Sequence, residues 1–387
     1  MSPDGELLSE LIKPAPVVRA GSRSYPILSM TMHQGLVDQQ DKFKKRVASI
    51  DTSPYKVVAR GQLVIGFPID EGVLSFQDRY DRAIVSPAYE IWDLLDQTRV
   101  DRRYLERYLR SPRALAYYSA KLQGTTARRR SLPRDSFLGL QVPLPAYSEQ
   151  KKIAQILELA DAQRLKRLKA IGLFGELGQS IFLEMFGNPA RNPCGWPMRK
   201  IGDLIESATY GTSVKAGAVG DLPMLRMNNI TPAGEIDLTD LKYLKRSETR
   251  ENYLIHHGDI LFNRTNSPDL VGKTAIYRGT ESLAYAGYLV RVRTDSSNNP
   301  EYLSAFLNSR YAKLVLRNMC KSIIGMANIN AKELQEISIA EPPRDIQLEF
   351  ARRIHELELL KLVQRRHLAS LGSLFTSLQG RAFRGEL

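Results

Sequence analysis

Ser267-Pro268-Asp269-Leu270-Val271-Gly272-Lys273-Thr274 follows an apolar run and ends in Gly-Lys-Thr, the closing half of a phosphate-binding loop. Such a loop cradles phosphate with successive backbone N–H groups. Here the first glycine is replaced by Ser267 and the next residue is Pro268, which has no donor, so the stretch reads as a strand carrying an exposed lysine. Asn299-Pro300-Glu301-Tyr302 approaches the Asn-Pro-Pro-Tyr element with which adenine methyltransferases hold the target amine, but its second proline is Glu301. No glycine-rich loop for S-adenosylmethionine accompanies it, and Asn299 reads better as a helix cap with Pro300 in the first turn. His256 and His257 are the one close pair among five histidines, and neighbours on a strand face opposite ways, so they cannot share a metal. Cys194 and Cys320 have neither metal-ligand spacing nor a disulfide framework. No catalytic, cofactor-binding or metal-binding residue is assigned, and the chain is read as non-catalytic.

What remains is the chemistry of recognition. A formal net charge of +13 points to a polyanionic partner. Nucleic acid is favoured over membrane, because no run of about eighteen or more apolar residues occurs. The N-terminus lacks the basic and then apolar pattern of a signal peptide, so a cytoplasmic location is expected. Arg99, Arg103, Arg107 and Arg110 recur at helical spacing, and Lys42, Lys44, Lys45 and Arg46 form a second basic cluster. These suit phosphate contacts, which position a protein without reading sequence. Reading base edges takes side chains with paired donors and acceptors. Candidates in the second half are Asn228, Asn229, Asn263, Arg264, Asn266, Lys273, Asn328 and Asn330. In the first half they are Gln77, Arg79, Arg82 and the Gly124–Arg130 loop with Arg128, Arg129 and Arg130. Turns also favour Asn for purely local reasons.

The elements that would carry these loops are written twice. Pro26 pairs with Pro223 at an offset of 223 − 26 = 197, and the same shift carries Gly5-Glu6-Leu7 onto Gly202-Asp203-Leu204, Gly61 onto Gly258 and Gln150 onto Gln347. One register held along the whole chain implies a duplicated domain, and a duplicated domain implies a duplicated target. In each half a short apolar run introduced by glycine reads as a buried strand, Gly61–Phe67 and Gly258–Asn263. A helix is expected near Arg102–Tyr118 and Pro300–Leu316, followed by a polar loop and a Pro-containing strand exit, Val142–Pro145 and Ala340–Pro343.

Beyond each exit lies a long charged helix with a heptad. In the second, Phe350, Ile354, Leu357, Lys361, Gln364, Leu368, Leu371, Phe375, Leu378 and Ala382 alternate at four and three residues. The first gives Ile153, Leu157, Ala160, Arg164, Arg167, Ile171, Phe174, Gly178, Ile181 and Met185. Both seams carry two polar residues in mid-helix, which cost stability but fix register, so pairing of the two helices with each other is expected.

Assembled, these residues resemble the specificity subunit of type I restriction-modification systems over essentially the whole chain. The tokens are Ser148-Glu149-Gln150-Lys151-Lys152-Ile153-Ala154, its echo Asp345-Ile346-Gln347-Leu348-Glu349-Phe350-Ala351, and the helix ends Met185-Phe186-Gly187 and Ala382-Phe383-Arg384-Gly385. The resemblance implies an α+β fold, two pseudo-repeated α/β target-recognition domains linked by two long helices that form an antiparallel coiled coil. On this reading residues 1–145 and 190–343 are the recognition domains, and 146–189 and 344–387 the helices. It further implies binding of double-stranded DNA at an asymmetric bipartite site. Two modification subunits with S-adenosylmethionine would methylate adenine, and restriction subunits with ATP and Mg would cleave. The first half lacks the Asn-Arg that ends the second half's strand, so the two domains are expected to read different half-sites. The residues themselves leave other classes open: a scaffold that touches no DNA, an enzyme fragment, or an orphan specificity subunit of another methyltransferase-based defence system.

Overall fold

The computed structural model describes residues 5–32, 34–39, 51–123, 131–323 and 326–387. The chain divides into two compact units, Met1–Lys166 with Leu368–Leu387, and Arg167–His367. The fold is α+β, with two long helices, Tyr147–Phe186 and Arg344–Ala382.

The first unit holds an antiparallel sheet in the order Ile12–Pro14, Glu90–Leu94, Leu63–Ile65, Leu74–Phe76. In the second unit the order is Ile205–Tyr210, Leu289–Thr294, Ile260–Asn263, Thr274–Ile276, again antiparallel throughout. The central strands Leu63–Ile65 and Ile260–Asn263 are buried and, apart from Asn263, apolar, and each follows a glycine at positive φ, Gly61 at 86° and Gly258 at 89°. A side chain would strain the backbone there, which is why the same residue type recurs. The second unit adds a mixed sheet of Lys242–Leu244, Leu222–Leu225, Leu283–Tyr285 and Leu254–Ile255. Among the described residues the first unit adds three antiparallel pairs, Leu28–Thr31 with Gly35–Asp38, Lys56–Ala59 with Arg82–Val85, and Glu6–Leu7 with Gln141–Val142.

The structural register of the repeat departs from the sequence match at its start. Leu8 donates its N–H to Leu140 O and Ile201 donates to Ile337 O, each opening a short 3-10 turn against the returning strand. Leu8 is thus the counterpart of Ile201, and Gly5-Glu6-Leu7 is not the counterpart of Gly202-Asp203-Leu204. The N–H groups before these turns are held by Glu10 and Asp203, acids that cap equivalent positions.

Each expected helix is two. Arg102–Leu109 and Pro112–Lys121 are broken at Ser111, and Pro300–Asn308 and Arg310–Met319 at Ser309. Both serines sit in extended backbone and accept from the N–H three residues on, Ala114 and Ala312, so each starts a new helix. Asn299 caps as expected, accepting from Glu301 N with Pro300 in the first turn.

A buried glutamine ties each long helix to its sheet. Gln347 Oε1 accepts from Asn299 N, and its Nε2 donates to Pro342 O and Asn298 Oδ1. Gln150 accepts likewise from Asp101 N and donates to Pro145 O, with the backbone carbonyl of Arg99 in place of the Asn298 side chain. Replacing Gln347 by Ala leaves the Asn299 N–H and the Pro342 carbonyl buried without their partner. That change is expected to cost about 2–4 kcal/mol, seen as a lower urea midpoint. The same substitution at the exposed Gln155 should leave the midpoint unchanged.

The heptad seam faces inward along both helices. Ile153, Leu157, Phe350, Ile354 and Leu357 are buried, and Ile171, Phe174, Ile181, Leu368, Leu371, Phe375 and Leu378 are half-buried. In the first unit Ile153 and Leu157 join the core cluster against which Phe375 and Leu378 pack, and the Arg164 guanidinium lies 5.0 Å from the Phe375 ring centre. In the second unit Arg167 hydrogen-bonds Gln364, Gly178 faces Leu357 and Ile354, and Phe182 and Phe186 pack on Phe350. Ascending positions on one helix meet descending positions on the other, so the pairing inside each unit is antiparallel. Lys361 is buried by pairing with Glu235 and Glu358.

Candidate nucleic-acid interface

In the second unit the end of the central strand Ile260–Asn263 runs directly into Thr265–Asn266, which pairs with Met326–Asn328. This brings Arg264, Thr265, Asn266 and Asn328 together. Asn328 is exposed and accepts from the Thr265 hydroxyl at 2.9 Å. The Arg264 backbone is clamped on both sides, its N–H donating to Tyr288 O and its carbonyl accepting from Ile329 N. Its guanidinium lies 4.8 Å from the ring centre of Tyr210, and Nη1 reaches Gly287 O at 3.4 Å. A planar cation held on an aromatic face is a preorganised donor fork for a base edge or a phosphate. Tyr210 escaped the sequence reading, since an aromatic at a strand end carries no signal of its own.

Other asparagines are committed to the protein. Asn263 is fully buried, donating to Thr265 O and Tyr288 O and accepting from Asn266. Asn229 closes the turn before it by accepting from Arg226 N and donating to Asp237 O and Asp240 O. Asn330 caps the helix Ala331–Gln335. Asn228, beside Asn229, is exposed. Lys273 is half-buried rather than free on a strand surface: its ammonium donates to Met227 O and Ile230 O, and burial lowers its pKa.

In the first unit Gln77 is fully buried, with Nε2 donating to Tyr80 O and Oε1 accepting from Arg79 N and Tyr80 N. Arg79 donates to Leu36 O and pairs with Asp38. Arg82 is exposed and, with Arg23, faces the Tyr25 hydroxyl, whose pKa it helps to lower. Arg128, Arg129, Arg130 and the Lys42–Arg46 cluster lie outside the described residues.

The arginine stripe is not a free basic face. Arg103 pairs with Glu158 and Arg107 with Asp161, joining the helix Arg102–Leu109 to the first long helix, while Arg99 pairs with Glu6 and Arg110 with Glu106. Among the described residues no group of three or more His, Cys, Asp or Glu is placed to hold a metal. Nor is any helix among them long and apolar enough to cross a membrane.

Residues 193–368 match the family described as the type I restriction modification DNA specificity domain. The chain is 28% identical over 274 residues to the type I restriction enzyme EcoKI specificity subunit of Escherichia coli K12, covering 65% of this chain and 59% of that one. It is 24% identical over 311 residues to the StySPI specificity subunit of Salmonella potsdam, covering 74% and 66%. The matched region thus spans less than two thirds of either relative. The fold matches that of the type I restriction-modification S subunit from M. genitalium, with a TM-score of 0.55, 14% identity and coverage of 99% and 97% of the two chains. A chain from a structural study of complex assembly in the type I R-M system gives 0.56 at 18% identity, covering 100% and 99%. The type I restriction modification DNA specificity domain is thus matched in one half of the chain, and the sheet order of that region is repeated in the other half.

Proposed function

We propose that the chain directs a type I restriction-modification assembly to an asymmetric bipartite site in double-stranded DNA, each unit reading one half-site and the long helices setting the distance between the half-sites. It contributes no catalytic group. Two modification subunits, carrying S-adenosylmethionine, dock on the helices and methylate adenine, and restriction subunits with ATP and Mg join for cleavage. The observation that carries this reading is that the architecture of the matched specificity domain occurs twice, with different residues in equivalent loops. A cytoplasmic location accords with it.

Docking is supported by the outward faces of the helices. Leu159, Leu168, Leu173 and Leu177 on the first, and Leu359, Leu360 and Leu362 on the second, are exposed although the seam accounts for the inward positions. Exposed leucines on this scale suit burial by a partner. For direct base contacts in the second unit the reading narrows to Arg264, Asn328 and Asn228, because Asn229, Asn263 and Asn266 have both ends of their amides engaged within the protein and Asn330 is spent as a helix cap; Gln77 in the first unit is likewise engaged at both ends.

Binding of target and unrelated duplexes by the assembled complex across a salt series tests the function, with affinity expected to fall steeply as salt rises. Arg264→Ala should cost ~1–3 kcal/mol at one base pair if the fork grips a guanine, and should weaken all sequences alike if it meets phosphate. Salt-insensitive binding, or none, would instead support the scaffold reading.

A further inference from the structure

The Gly-Lys-Thr stretch that fails as a nucleotide loop borders a cleft of about 380 Å³ in the second unit. Its walls are the turn Pro268–Val271 with Lys273, and the face of the helix Arg310–Met319 that carries Arg310, Lys313, Leu314 and Arg317. Four cations meet one carboxylate here, Asp269, which lies 3.6 Å from Arg317 with both side chains largely exposed. Among the described residues no carboxylate pairs with Lys273, Arg310 or Lys313. The Lys313 ammonium donates to Gly272 O at 2.6 Å, and an ammonium has three donors.

The fold does not require these charges. Counting from the capping serines Ser111 and Ser309, the first unit places Pro112, Leu115 and Ser119 where the second places Arg310, Lys313 and Arg317. Leu115 packs there on a core cluster containing Ile69, beside Gly72. The three helix positions that are all cationic in the second unit are therefore all uncharged in the first, with a leucine at the middle one. Burying lysine among like charges is unfavourable unless an anion compensates it, and burial pushes the Lys313 pKa down to about 8.

We propose that this cleft binds a phosphate group, with Lys313, Lys273, Arg310 and Arg317 as its donors. The source is either a backbone phosphate of bound DNA or free phosphate, and the site does not depend on base reading elsewhere.

Two measurements on the full chain, alone and in its complex, separate these sources. In the first, thermal unfolding is followed against inorganic phosphate at constant ionic strength, near neutral pH, for wild type, Lys313→Leu and Arg317→Ala. In the second, a target duplex carrying single methylphosphonate substitutions is bound by the complex. Lys313→Leu takes the first unit's residue and should fold. Arg317→Ala, on the exposed rim, guards against a packing effect.

Free phosphate as ligand predicts saturable stabilisation of wild type, at least tenfold weaker in both variants, with DNA affinity unchanged. A DNA phosphate predicts one methylphosphonate position that weakens wild type and has no effect on either variant. Both outcomes support the site. Wild type and variants behaving alike in both measurements overturns it, and an absence of DNA binding with intact, Lys313-dependent phosphate stabilisation would count against the DNA-reading function alone.

Discussion

Leu157→Glu combined with Leu357→Glu abolishes assembly with the modification subunits and lowers the stability of both units. Leu157 is completely enclosed in the first unit's core, beside Ile153 and in reach of Phe375 and Leu378. Leu357 is 6% exposed in the second unit and lies against Gly178, where an added Cβ would meet Leu357 Cδ2 at 3.6 Å. An unpaired carboxylate in either position is expected to cost about 3–5 kcal/mol. Against a domain stability of about 5–15 kcal/mol, that is a large share. Urea unfolding reads the stability, and size-exclusion chromatography with the modification subunits reads the assembly. Ile171→Glu, on the half-buried middle of the seam, should cost only about 1–2 kcal/mol and separates loss of pairing from loss of a core. Normal assembly of the double variant would show that the helix pair is not the docking platform.

The second large effect is expected from exchanging a whole recognition module. Its natural limits are the paired strands Met198–Lys200 and Ser338–Ala340, because both cuts then fall on strands hydrogen-bonded to each other and the core strands between them move as one set. A cut at Leu222 would leave Ile205–Tyr210 behind, separating it from its partner strand Leu289–Thr294 and removing Tyr210 from beneath Arg264. With Met198–Ala340 replaced by the equivalent segment of a relative, affinity for the original target should fall by orders of magnitude, since each mismatched base pair costs ~1–3 kcal/mol. Stability and assembly should be retained if the incoming segment supplies the backbone N–H and amide acceptor that Asn299 and Asn298 present to Gln347, because Pro342 and the helix seam keep their own residues.

The duplication and the helices were legible in the amino-acid order because both are periodic: one offset recurs along the chain, and the heptad marks the seam. Glycines at 61 and 258 announced the central strands because positive φ restricts the residue type. The break at Ser309 was hidden, since serine is tolerated inside a helix and no proline follows it there. The shifted pairing of Leu8 with Ile201 was hidden by the similar triplets beside it. Base-reading residues were legible as a set of loops but not one by one. Asn228 and Asn229 are adjacent and identical in type, yet one is exposed and the other closes a turn with both ends of its amide. The arginine stripe had the spacing of a phosphate-binding face, but its acidic partners Glu158 and Asp161 lie about fifty residues away on another helix. Only the fold brings them together.

The central claim is that the two units read DNA independently. Methylation mapping across a genome, using the complex assembled with the Met198–Ala340 exchange, tests it most directly. The expected result is a new motif in which one half-site has changed while the other half-site and the gap are those of the parent. A motif altered in both half-sites, or altered only in the length of the gap, would contradict two independent readers on a common helical spacer.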